Sequence, residues 1–183
     1  MPNQFFTEGD DIKFIKDILS FKNKSKQNDI FIKTNGWTNL HLIASKFLEN
    51  TNKRGRNLVF FDADGDAEQR RTQLLKTSKE LGITFELFLF PNNTDSGIVE
   101  NLFLEIILPK FHSIFNCFDN YSQCISDADE NYFLPNLKSK FFSFTESTGQ
   151  KTHLKDINFA NSNFYDLNHK SLDQLFEFIE HNV

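Results

Sequence analysis

Cysteine, methionine, tryptophan and the turn-forming residues are all scarce in this chain of 183 residues, which has 2 Cys, 1 Met, 1 Trp, 4 Pro and 7 Gly. Two cysteines build no disulfide framework, and Cys117 and Cys124 have no supporting histidine pair for a zinc site. Seven positions apart, they share one side of a helix and read as small buried apolar residues. The 5 histidines show no metal-ligand spacing. No apolar run approaches the roughly 18–20 residues that span a membrane. The opening MPNQFFTEGDD has no basic region leading into an apolar stretch, so no secretory signal is expected and the chain reads as cytoplasmic. Positive charge is short as well. Lys and Arg number 20 against 25 Asp and Glu, a net charge of −5. That balance argues against a wide basic surface gripping long nucleic acid.

What is abundant is phenylalanine, 23 residues, within a 39% hydrophobic fraction that suffices for one real core. Short apolar runs alternate with helical patterns over the first ninety residues. NQFF reads as a strand, stopped at Thr7-Glu8-Gly9, and Ile12, Ile15, Ile18 and Leu19 then recur at helical spacing. DIFIKT is a second strand ended by Asn35-Gly36, and Leu40, Ile43, Ala44, Phe47 and Leu48 make an amphipathic stripe. NLVFF is the third strand, followed by a charged helix over 66–81 closed by Gly82. TFELFLF is the fourth, stopped by Pro91. This alternation predicts an α/β fold with a four-stranded, mostly parallel sheet flanked by helices. Beyond it, helices are expected over 95–108 and 111–126, KSKFFSF alternates like a strand, and SLDQLFEFIEH reads as a terminal helix capped by Ser171. The division expected is an α/β core over 1–108 and a C-terminal extension of helices, with one added strand, over 109–183. There is no internal repeat and no low-complexity linker.

Ligands of an open parallel sheet bind beyond the carboxyl ends of its strands. Glu8 falls just past the first strand, Asp62 and Asp64 past the third, and Asn92, Asn93 and Asp95 past the fourth. The opposite edge carries Lys22, Lys24 and Lys26, and Lys53, Arg54 and Arg56. In the stretch NLVFFDADGD, three aspartates (Asp62, Asp64, Asp66) crowd together, which raises their pKa values unless a cation offsets them. A calcium loop counted from Asp62 needs Gly at its sixth and Glu at its twelfth position, but Ala67 and Gln73 stand there. Asp66 is either a further ligand or an acid favouring the N-terminus of the next helix. Asp10 and Asp11 read as ordinary first-turn acids, Arg70 and Arg71 as a solvated helix face or phosphate contacts, and Trp37 as a core residue near the crevice. Lys138 and Lys140 would share one face of the strand expected at KSKFFSF, within reach of a phosphate.

Two families share the apolar strand running into D-x-D. A haloacid-dehalogenase-like phosphatase, whose first Asp (Asp62 here) is the nucleophile, has Thr or Val where this chain has Asp66, and usually carries the motif nearer the N-terminus. The chain more closely resembles the toprim domain. FFTEGDDIKFIKDIL is similar to its first motif and VFFDADGD to its second. FLFPNNTDSGIVENLFLEI, CFDNYSQCI and KSKFFSF further resemble a group of small uncharacterised bacterial toprim-like proteins related to the overcoming-lysogenization-defect nucleases. The resemblance implies a Rossmann-like toprim sheet and divalent-metal-dependent phosphodiester chemistry, with nucleic acid as substrate. It implies Glu8 as general acid or base, and Mg²⁺ or Mn²⁺ on Asp62 and Asp64, with Glu100 and Asp66 as candidates for added ligands. Gly9, Asn92, Lys138 and Lys140 are the candidate substrate contacts, and an ATPase is the implied partner. A non-catalytic nucleotide- or partner-binding module of the same fold is the alternative.

Overall fold

The computed structural model describes residues 2–183. Its elements are β1 (Asn3–Thr7), α1 (Ile12–Phe21), β2 (Ile30–Lys33), α2 (Ala44–Asn52), β3 (Arg56–Asp62), α3 (Ala67–Leu81) and β4 (Glu86–Phe90), then α4 (Val99–Ile106), α5 (His112–Ala128), α6 (Leu137–Ser147) and α7 (Asp173–Asn182). The four strands form one sheet of order β2-β1-β3-β4, parallel throughout. Chain connections leave β1 toward one edge and β3 toward the other. The switch point of the sheet therefore lies between β1 and β3.

Strand alternation sends each apolar run to both faces. Phe5, Phe60, Phe88 and Phe90 share a cluster with Phe14 and Ile18 of α1, Phe103 of α4, Phe141 and Phe144 of α6, and Ile179 of α7. Phe6, Val59, Phe61 and Leu89 face the other way, against Phe47 of α2 and Leu74 of α3. Both faces are covered, as the continuous apolar strands require. The 109–183 segment thus contributes to the same core as β1. Asp17 of α1 reinforces the join, accepting from the Phe159 N–H at 2.9 Å.

Three local expectations are corrected. KSKFFSF is helix α6, not a strand: Asn136 caps it by accepting from the Ser139 N–H at 3.0 Å, and Phe141, Phe144 and Thr145 form its buried side at helical spacing. Lys138 and Lys140 consequently do not share a strand face. Cys117 and Cys124 are exposed, because α5 turns Ile114, Phe115, Phe118 and Ile125 inward and leaves both thiols outside. Ser171 does not cap α7; it lies in a 3-10 turn (Lys170–Leu172), where its N–H donates to the His169 ring. Asp66 caps α3 through the Gln69 N–H at 2.9 Å, and Gly82 closes that helix at φ 64°. Among the described residues, no helix is long and apolar enough to cross a membrane.

Candidate functional site

The acids gather at the switch point. Glu8 leaves the end of β1 and Asp62 ends β3, the neighbouring strand, so the sheet itself brings them together. The Glu8 carboxylate accepts from the backbone N–H of Asp62 at 3.3 Å. Asp62 in turn accepts at Oδ1 from the Val99 N–H at 2.8 Å, the first residue of α4. An anion at a helix N-terminus satisfies an otherwise orphaned donor. Asp64 sits in the left-handed region at φ 54°, and its backbone pairs in both directions with Gly97, at 2.8 and 2.7 Å. That clasp fixes the turn after β3 against the entry to α4 and carries Glu100 inward.

A cavity of about 480 Å³ opens here, lined by Glu8, Asp11, Asp62 and Glu100 with Lys33 and Lys138 at its side. Gly9 and Asp64 also line it. Asp11 was read from the sequence as a first-turn acid; it is only 6% exposed. The signal missed was its position beside Glu8: Val99, Glu100 and Leu154, all distant in sequence, line the same cavity around it, which no local pattern encodes. Glu100 is 1% exposed; Lys138 Nζ stands 3.8 Å from its Oε1, and its Oε2 has no hydrogen-bond partner.

Burial raises every one of these carboxyls. Asp62 is pushed up to about 8, first by burial and then by the Asp11 carboxylate. Asp11 is raised to about 6 by burial and by Glu100. Glu8 is raised by burial and by Asp64, although the Asp62 N–H opposes the change. Glu100 is raised by burial, against the pull of Lys138. The site holds its negative charge at a cost, which a bound cation would offset.

Other expected residues lie elsewhere. Asp64 is half exposed and ion-paired with Arg70, whose guanidinium also stacks over the Trp37 ring at 4.6 Å. Asp66 is occupied as the α3 cap. Asn92 closes its own turn, accepting from the Asp95 N–H at 2.8 Å, and borders a different cavity. Lys140 is paired with Asp119 at 2.6 Å and borders a third. Arg71 holds Asn93 at 2.8 Å and so supports the turn after β4.

Among the described residues, no three Asp, Glu, His or Cys side chains converge as a ready-made metal shell. Magnesium and manganese need less: an all-oxygen shell in which one or two carboxylates suffice and water supplies the rest. Partly free Asp62 oxygens and the unpartnered Oε2 of Glu100 suit such an ion.

Fold and site together describe a three-layer α/β protein with an acidic crevice at the switch point of a parallel sheet. The chain belongs to the family described as Protein of unknown function (DUF3226), whose model matches residues 2–182. No curated protein and no solved structure matches it.

Proposed function

We propose that the crevice is a toprim-like site for divalent-metal-dependent phosphodiester chemistry, directed at nucleic acid. One observation carries the reading: Glu8 after β1 and the D-x-D of Asp62 and Asp64 after β3 meet on adjacent parallel strands, with Glu8 hydrogen-bonded to the backbone of Asp62. Asp62 with Glu100 would hold Mg²⁺ or Mn²⁺, with Asp11 and Asp64 beside them. When bound, the ion would stabilise charge developing on a phosphoryl oxygen and acidify a bound water. Glu8, raised by burial, would exchange a proton with the attacking or leaving oxygen. The backbone at Gly9 and the ammonium of Lys138 would orient the phosphate. The sparse basic surface around the crevice supports reliance on a partner for substrate grip, of the ATPase class by analogy alone.

A second reading draws on Arg70. Its pairing with Asp64 places a built-in cation on one of the two D-x-D carboxylates, which favours a binding module without turnover. Calorimetric titration of Mn²⁺ separates the possibilities. Binding should be measurable in the wild type, be abolished in Asp62→Ala/Asp64→Ala and be retained in Glu8→Gln. Cleavage of single-stranded oligonucleotides should then be lost in Glu8→Gln. Mn²⁺ binding without cleavage selects the binding module; no Mn²⁺ binding in the wild type overturns the metal-dependent enzyme and leaves the module, with Arg70 as its cation.

A further inference from the structure

The cavity has a size, a wall and two cations that together define what fits in it. Lys33, the last residue of β2, lines it from the sheet side and is 38% exposed, its Nζ 2.8 Å from Asp10. Lys138, in the first turn of α6, lines it from the C-terminal segment and is 55% exposed. Leu154, opening a 3-10 turn (Leu154–Asp156) packed on α1, adds an apolar side to the same wall. The volume of about 480 Å³ falls within the roughly 300–1,000 Å³ typical of small-ligand sites. Duplex binding instead draws on many phosphate contacts along a surface. Six of this chain's bases lie at the far edge of the sheet: Lys22, Lys24 and Lys26 precede β2, Lys53 and Arg54 precede β3, and Arg56 opens β3.

We infer that the site receives a single terminal nucleotide carrying a phosphate, with Lys33 and Lys138 as the two anion contacts, rather than the interior of a duplex. The inference rests on the proposed phosphodiester reading and narrows its substrate. The buried Glu100 Oε2, unpartnered at the cavity wall, shows that the pocket is completed by a ligand bearing a hydrogen-bond donor or arriving with the metal ion already assigned to that oxygen. Each ammonium faces a carboxylate, Lys33 on Asp10 at 2.8 Å and Lys138 on Glu100 at 3.8 Å, and a bound phosphate would share or displace those pairings. A free mononucleotide and the phosphorylated end of a single strand present the same chemistry, and the experiment tells them apart.

The test is calorimetric titration of AMP, of a short 5′-phosphorylated single strand, of the same strand without its phosphate, and of a blunt duplex. Each is run with and without Mn²⁺, on wild type, Lys33→Gln, Lys138→Gln and the Lys→Arg counterparts. Unchanged thermal unfolding of these surface variants controls for misfolding. Binding of AMP, or of the phosphorylated strand alone, is expected to weaken roughly tenfold in each Gln variant and to recover in the Arg variants. AMP binding without strand binding identifies a free nucleotide, and the reverse identifies a strand end. Equal binding of the strand with and without its phosphate, tighter binding of the duplex, or indifference to both Gln substitutions overturns the inference. Mn²⁺ binding is read in the same runs, so its absence strikes the proposed function, while lysine-dependent binding decides this inference by itself.

Discussion

Replacing Asp62 by Asn should make the metal-free protein more stable, and by an amount that depends on pH. Asp62 ionises near 3.8 in the unfolded chain and at about 8 in the fold. A carboxyl raised in this way favours folding while it is protonated. Its contribution is therefore complete below about pH 4 and declines as pH rises toward 8, because the unfolded state sheds a proton that the fold retains. At about 1.36 kcal/mol per pH unit, the cost at pH 7 reaches about 4 kcal/mol. Water reaching the partly buried side chain lowers the expected value to about 2–4 kcal/mol. Asparagine preserves the shape, and its carbonyl oxygen still accepts from the Val99 N–H, but it carries no charge to desolvate. Urea denaturation in chelator, followed by circular dichroism from pH 4 to pH 8, should show Asp62→Asn gaining stability steadily over wild type. The gain should shrink below about 1 kcal/mol near pH 4. Mn²⁺ at about a hundred times its Kd should then stabilise wild type by about 2.7 kcal/mol and the variant far less. A variant no more stable than wild type at pH 7, or a gain that ignores pH, would refute the account of a carboxyl whose ionisation the fold opposes.

Two further substitutions probe the frame of the site. Gly97→Ala should destabilise by about 1–3 kcal/mol in urea titration, since φ is 142° there and a Cβ would stand 2.7 Å from Asn101 Oδ1. Asn57→Ala should cost about 1–3 kcal/mol in the same assay, because this 4%-exposed side chain donates to the Phe47 and Thr84 carbonyls at 3.2 and 3.0 Å, and the Phe47 contact is buried.

The sheet was legible because its strands are bounded runs of Phe, Leu, Val and Ile separated by helices with recognisable ends, such as the Asp66 cap and Gly82. Glu8 and Asp62 were legible for the same reason: a residue that ends a parallel strand has its place set by the sheet. Asp11 and Arg70 were not: the residues that line the cavity around Asp11, Glu100 and Leu154 among them, and the Trp37 ring under Arg70 come from distant parts of the chain, although Asp64, which pairs with Arg70, stands only six residues before it. KSKFFSF misled because two Phe on a two-residue alternation satisfy a strand pattern, while Phe141, Phe144 and Thr145 satisfy a helical one equally. Asn136 after Pro135 was the tie-breaking signal. The cysteines misled because α5 packs on one side only, a fact of tertiary arrangement that residue type does not carry.

The wall that α6 and Leu154 contribute to the cavity also fixes an order of events in biosynthesis. Lys138 follows Asp62 by 76 positions, which at roughly 5–20 residues per second separates them by about 4–15 s on the ribosome. During that interval Glu8, Asp11 and Asp62, joined later by Glu100, have no facing ammonium from α6. The sheet face bearing Phe5, Phe60, Phe88 and Phe90 likewise waits for Phe141, Phe144 and Ile179 to cover it. The nascent chain therefore passes through a stage in which only α1 and α4 cover that aromatic face and the acidic crevice lacks its α6 ammonium. α6 and α7 cover that face and complete the wall of the crevice together.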